Sequence, residues 1–213
     1  AAVSTHDFTR ETEKLPEVSY HLLERQLAKR LYLTLDSVSG YYDRTRSDDD
    51  AGRSVNIARL SYDWNLGQGV GITPFVEGEG TWYSETRARD DGSDEFRFSG
   101  VAGITAQARF HRAYAGRWGF SSFKHILVPS FTYSYRPDAS LESDDTPRLD
   151  ALDDVPGRSR IEGKIDNIFL GRDEVLDEEW QVARLSFYHG NDFENETRET
   201  QDYEVEFDIR PRP

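Results

Sequence analysis

The side chains with most chemistry to offer in this sequence are imidazoles and carboxylates, and neither is spaced to use it. The five histidines are His6, His21, His111, His125 and His189. A zinc-hydrolase helix needs two histidines four residues apart with a glutamate between them, and no such pair exists. A lone histidine at a strand end reads as a satisfied interfacial residue. The adjacent acids Asp153-Asp154 and Glu178-Glu179 could be imagined as general acid and base. Both fall in connections between strands, where the expectation is solvated charge. The glycine-rich Gly67–Gly71 has no helix behind it to hold a phosphate and reads as a tight turn. No nucleophile elbow is present for a serine triad, and with no cysteine there is no thiolate metal site or disulfide in this stretch. The reading is not an enzyme, with no cofactor and no metal centre.

Acidic runs offer one further chemistry. Asp48, Asp49, Asp50, Asp144 and Asp145 carry oxygens that suit Ca²⁺ or Mg²⁺, and at a lipid surface such ions would bridge loop carboxylates to lipid phosphates. The competing reading is charge that keeps loops solvated. The whole chain is acidic: 26 Lys and Arg against 40 Asp and Glu give a net charge of −14. That excludes nucleic acid as a partner through a basic face.

The elements that carry these residues are strands. Hydrophobic residues are 36% and aromatic residues 13% of the chain, too little apolar content for a large helical core but suited to strands with one apolar and one polar face. No apolar run approaches the ~18 residues of a membrane-crossing helix, which leaves a spanning barrel open because its strands alternate. Period-2 alternation marks nine strand candidates: 17–23, 30–43, 54–64, 69–85, 96–110, 125–136, 159–170, 180–189 and 202–209. Only His21–Leu31 has helical spacing, and a turn is needed there. Gaps between strands tend to alternate short and long, and the long ones are acidic. An up-and-down sheet puts alternate gaps at opposite ends, and outer-membrane barrels have short periplasmic turns and long outer loops. The expected fold is all-β: an antiparallel up-and-down transmembrane β-barrel, partial, with about nine strands of a larger barrel. An odd count suits a segment, since bacterial single-chain barrels are even. Absence of methionine even at position 1 and the lack of a signal-peptide core point to a chain processed or cut from a longer one. A soluble antiparallel sandwich or a lipocalin-like barrel would also alternate.

In the barrel reading the polar face of two strands lines the lumen: Thr73, Glu77 and Glu79 on one, Ser130, Thr132 and Ser134 on another. Opposite them lie Val70, Ile72, Pro74, Val76 and Trp82, and Leu127, Pro129, Phe131, Tyr133 and Tyr135. Aromatics near strand ends suit the membrane interface: Trp64, Trp82, Tyr133, Tyr135 and Trp180, with Tyr41, Tyr42, Tyr83 and Tyr188 in the same class. Pro74 and Pro129 fall mid-strand, where a missing N–H weakens the ladder or forces a bulge.

Lys124–Asp138, "KHILVPSFTYSYRPD", resembles a segment of the lipopolysaccharide-assembly family LptD (OstA), in which a basic residue and His precede an apolar strand, then Pro, then a Tyr-rich run ending in Arg-Pro. The following "PRLDALDDVPGRSRIEGKIDNIFLGR", Pro147–Arg172, resembles the family's acidic loop and next strand. Leu149 stands where the family has Phe, and Ser159-Arg160 where it has Asn-Arg. Upstream, Leu15–Arg44 is similar to the family's "Leu-Pro-Glu" strand opening, and "ITPFVEGEGTWYSET" to its "Thr-Pro…Trp-Tyr" strand. The resemblance covers nearly the whole chain and divides it into a leading segment, 1–14, and a barrel segment, 15–213. It implies a large barrel in the Gram-negative outer membrane that inserts lipopolysaccharide into the outer leaflet through a lateral seam. The partners it implies are lipopolysaccharide, outer-membrane lipids, an LptE-like lipoprotein plug, and a periplasmic transport bridge reached through a jelly-roll domain that this chain does not show. The family's disulfide cysteines and the seam would lie outside this stretch. Two alternatives stay open: a general outer-membrane porin or solute channel, and a soluble β-sheet binding module.

Overall fold

The computed structural model describes residues 12–44, 50–84, 94–117, 119–141, 146, 149, 153, 157–173, 175, 178–193 and 201–210. All regular structure among them is strand: β1 (Thr12–Ala28), β2 (Leu31–Arg44), β3 (Asp50–Tyr62), β4 (Trp64–Gly67), β5 (Val70–Tyr83), β6 (Glu95–Ala108), β7 (Phe110–Ala115), β8 (Phe120–Arg136), β9 (Arg158–Asp173), β10 (Glu179–Asp192) and β11 (Gln201–Ile209). They form one antiparallel up-and-down sheet, not closed on itself, in the order β1-β2-β3-β5-β6-β8-β9-β10-β11, with β4 on β5 and β7 on β8. The fold is thus the expected partial one.

Eleven strands occupy nine places in this order, which is why nine alternating segments are legible in the sequence. The two extra strands arise from one-residue interruptions. Asp63 separates β3 from β4, and its carboxylate accepts a hydrogen bond from Thr73 Oγ1 at 3.0 Å. Arg109 separates β6 from β7, and its N–H donates to Gly69 O at 2.8 Å. Two sequence expectations change here. The stretch from His111 onward reads as a connection, yet Phe110–Ala115 pairs residue for residue with Ser122–Leu127. The turn expected over 24–29 is shorter: β1 continues to Ala28, which pairs with Leu31, and Lys29-Arg30 make the turn. Two register shifts, between Leu22 and Arg25 and between Gln26 and Ala28, are bulges that disturb the period-2 pattern locally.

Tight turns close the short gaps as read. Gln68 and Gly69 have positive φ, 51° and 79°, the backbone a two-residue hairpin turn requires, and Gly67 before them, at the end of β4, has φ 88°. A Cβ on Gly69 would sit 2.7 Å from Arg109 O, so this position needs glycine for space as well as for φ. Most strands run 13 to 17 residues, beyond the ~10 tilted residues that cross a hydrocarbon core.

The chain divides into two compact units. Unit 1 is Ala1–Ser61, Val76–Val101 and Arg136–Gly157; unit 2 is Tyr62–Phe75, Ala102–Tyr135 and Arg158–Pro213. In both, the alternation is the reverse of a soluble core. In unit 1, Phe96 and Phe98 are exposed while Arg97 between them is 1% accessible. Val76 and Trp82 are exposed while Glu79, Thr81 and Tyr83 are buried. In unit 2, Phe131, Tyr133, Ile165 and Phe187 are exposed while Ser186 and Asp192 are buried. Large apolar residues turned outward opposite a buried polar face suit a lipid surround, where apolar side chains lose nothing by exposure.

Candidate functional site

The polar face of unit 1 is built around one carboxylate from the long β8–β9 connection. Arg53 on β3, Tyr83 on β5 and Arg97 on β6 project to the same face because each occupies the in-phase position of its strand. Arg53 Nη1 donates to Asp153 Oδ1 at 2.9 Å and to Oδ2 at 3.0 Å. Tyr83 OH donates to Oδ1 at 2.8 Å, and the Leu149 N–H to Oδ2 at 2.8 Å. Arg97 Nη1 donates to the Asp153 backbone carbonyl at 2.7 Å, while its Nη2 donates to Glu79 Oε1 at 3.2 Å. The Arg53 and Asp153 side chains are each 1% exposed. Arg53 also lies over the Tyr42 ring, 4.4 Å from its centroid, and Tyr42 OH donates to Glu17 Oε2 at 2.9 Å. Leu149 packs with Tyr42 and Ala51 in the small apolar cluster beside these charges. The two guanidinium groups are matched by Asp153 and Glu79, as burial demands.

Unit 2 carries a second network on β9, β10 and β11. Arg160 donates to Glu162 Oε1, Asp192 Oδ2 and Asp202 Oδ2, each at 2.9 Å, and to Tyr188 OH at 2.7 Å. Tyr188 OH donates onward to Glu162 Oε1 at 2.6 Å. Farther along the same strands, Asp166 accepts from Arg184 Nη2 at 2.8 Å and Ser186 Oγ at 2.5 Å, with Lys164 at 3.3 Å. The antiparallel register explains the grouping: Glu162 faces Gly190, Arg160 faces Asp192, and Asp166 faces Ser186.

The polar residues singled out in the sequence are spread across both units. Glu79 joins the Asp153 cluster through Arg97. Glu77 pairs with Arg59 at 3.7 Å. Thr132 Oγ1 lies 3.0 Å from Thr105 Oγ1, its cross-strand partner. Ser134 faces Gly103 and Ser130 faces Gln107 on β6. Among the aromatics, Trp64, Trp82, Tyr133 and Tyr135 are exposed; Trp82 Nε1 donates to Asp94 Oδ2 at 3.3 Å, and Trp180 Nε1 to Arg210 O at 3.2 Å. Tyr42, Tyr83 and Tyr188 depart from the interfacial reading, because each points to the polar face and hydrogen-bonds a carboxylate there.

Asp153 is the other correction. A carboxylate in a loop is expected to be solvated, but this one is buried because Arg53 and Tyr83 on two strands donate to it, while Arg97 on a third holds its backbone carbonyl. Glu178 and Glu179 are exposed, as read. Asp48, Asp49, Asp144, Asp145 and Asp154 lie outside the described residues, as does the side chain of Asp50. His21 hydrogen-bonds Asp36 at 2.6 Å; His125 stacks on Phe169 and His189 on Tyr203, both at 4.5 Å. The sequence reading passed over Arg53, Arg97 and Arg160. The available signal was an arginine in phase with Ser, Thr and Glu on a strand whose other positions are aromatic or aliphatic, most plainly Phe96-Arg97-Phe98.

An antiparallel sheet that exposes its apolar residues and buries its ion pairs has the construction of an outer-membrane barrel wall. The family model described as "LptD: LPS transport system D" matches residues 3–175, most of the chain, and the chain belongs to that family. Its members are lipopolysaccharide transport and assembly proteins of the outer membrane rather than enzymes. No curated protein matches the chain. β10 and β11 lie beyond the matched residues and continue the same sheet.

Proposed function

We propose that this chain forms part of the barrel wall through which lipopolysaccharide enters the outer leaflet of the outer membrane. The observation that carries this reading is the inverted alternation: Phe131 is 48% exposed, while its neighbour Thr132 turns the other way to meet Thr105. In a membrane the first faces acyl chains and the second a wet lumen. Thr73, Glu77, Glu79, Ser130, Thr132 and Ser134 belong to that lumenal lining, which offers hydrogen bonds to a sugar and phosphate headgroup. Trp64, Trp82, Tyr133, Tyr135 and Trp180 belong to the interfacial girdles. Backbone groups in lipid must all be paired, and among the described residues β1 and β11 are the outer strands of the sheet order. A lipoprotein plug of the LptE kind would contact the lumenal face, and a periplasmic bridge would deliver the lipid. The chain works as a conduit, and the driving energy comes from elsewhere.

The test is photo-crosslinking in cells with the full-length parent protein, with the probe at Thr132 and separately at Phe131. Lipopolysaccharide adducts at Thr132 that depend on ongoing transport support the conduit. If neither position captures the lipid while it still reaches the surface, the chain is the wall of a general channel.

A further inference from the structure

The Asp153 carboxylate sits as a bound oxyanion would. Both its oxygens accept from Arg53 Nη1, one also accepts from a tyrosine hydroxyl at 2.8 Å and the other from a backbone N–H at 2.8 Å, and it is 1% exposed. The strands contribute the cationic and phenolic part of this cradle, Arg53 and Tyr83, from rigid elements, and Arg97 beside them holds the Asp153 backbone carbonyl. The carboxylate comes from a different part of the chain, 100 residues from Arg53. Arg97 pairs with Glu79, and Arg53 pairs with Asp153 at 2.9 Å. Removing a carboxylate from a buried arginine is strongly unfavourable unless another anion replaces it. Guanidinium groups with adjacent hydroxyl donors bind phosphate oxygens at least as well as carboxylate.

We propose that Arg53, Tyr83 and Arg97 form a phosphate-accepting site on the polar face, occupied in this state by the chain's own Asp153, and that a phosphate ester displaces Asp153 from it. Because it lies on the face assigned above to the lumen, this inference rests on that reading: the phosphate would be that of a passing lipopolysaccharide headgroup. Asp153 is then an internal competitor. The affinity of the site is lowered by the fraction of time the carboxylate is in place, and the headgroup is released when the carboxylate returns.

Competition gives substitutions of opposite sign, which general damage to the fold does not. The assay is binding of fluorescent lipopolysaccharide to the full-length parent protein in detergent, compared with the same lipid after enzymatic removal of its phosphates and with inorganic phosphate as competitor. Asp153→Asn is expected to tighten binding of the phosphorylated lipid at least about tenfold, the factor for a carboxylate that occupies the site nine-tenths of the time or more. Arg53→Gln is expected to weaken it, and neither should alter binding of the dephosphorylated lipid. Displacement by millimolar inorganic phosphate would show that the site takes phosphate from any source; displacement only by lipid would assign it to the headgroup. Asp153→Asn that binds the phosphorylated lipid no tighter than wild type, with Asp153→Ala behaving likewise, overturns the proposal. Should that happen while Thr132 still captures lipopolysaccharide in cells, the phosphate site fails and the conduit stands.

Discussion

Removing the Arg160 guanidinium should expose how the polar face of unit 2 is held. In Arg160→Gln, three carboxylates lose their shared partner. Asp192 is the costliest, because its side chain is 7% exposed and its 2.9 Å contact is charge-assisted; losing such a bond costs about 2 kcal/mol. Glu162 is 34% exposed and Asp202 55% exposed, so solvent screens both and each contributes roughly 0.5 kcal/mol. Repulsion among the three acids, with Tyr188 OH still donating to Glu162, brings the expected loss to about 3 kcal/mol, in the range for breaking a buried ion pair from one side. The assay is reversible urea unfolding of the refolded parent barrel in detergent, followed by tryptophan emission and by the gel migration that distinguishes folded from unfolded barrels. Arg160→Lys, which keeps the charge but not the fork, should recover roughly half of the deficit. A loss below about 0.5 kcal/mol at neutral pH, the usual scale of an exposed pair, would show that this network is a surface decoration and refute the reasoning.

Other substitutions probe the faces and the turns. Ile165→Arg, at a position 45% exposed on the apolar face of β9, should cost about 2–4 kcal/mol in a bilayer, whereas Thr105→Lys on the polar face should cost far less; equal penalties in vesicle-folding titrations would contradict the assignment of faces. Gly103→Ala places a Cβ 2.4 Å from Phe75 Cζ and 2.7 Å from Tyr133 O, so about 1–3 kcal/mol of overpacking is expected. Phe75→Leu should relieve only part of it, because the carbonyl cannot move aside, and full rescue in the double variant would argue against the close approach. Gly69→Ala combines a φ of 79° with a Cβ 2.7 Å from Arg109 O; slower refolding and at least about 1 kcal/mol lost stability are expected, and an unchanged denaturation midpoint would rule this out.

What the sequence determines by itself is the alternation and the places where it stops. Phe96-Arg97-Phe98 and Phe131-Thr132-Tyr133 commit their side chains to opposite faces whatever they pair with, because the strand repeat is two residues. The glycines at 67 and 69 commit the chain to a turn, because their φ values are costly for other residues. These local rules suffice to place nine strands in order and to set the apolar face against the polar one. They do not reveal β7, since "FHRAYA" has no apolar alternation of its own and is a strand only because Ser122–Leu127 lies beside it. Nor do they reveal that β1 runs on past Leu23 through the expected turn, where bulges absorb the misfit. The fate of Asp153 belongs wholly to the tertiary structure. Nothing near it in sequence distinguishes it from the acids around it, and its burial depends on Arg53, Tyr83 and Arg97 converging from three strands. The same holds for Arg160, whose four partners come from β9, β10 and β11. Alternation is a property of neighbours along the chain and can be read there. Charge pairing between strands depends on register, and register is fixed only when the sheet has formed.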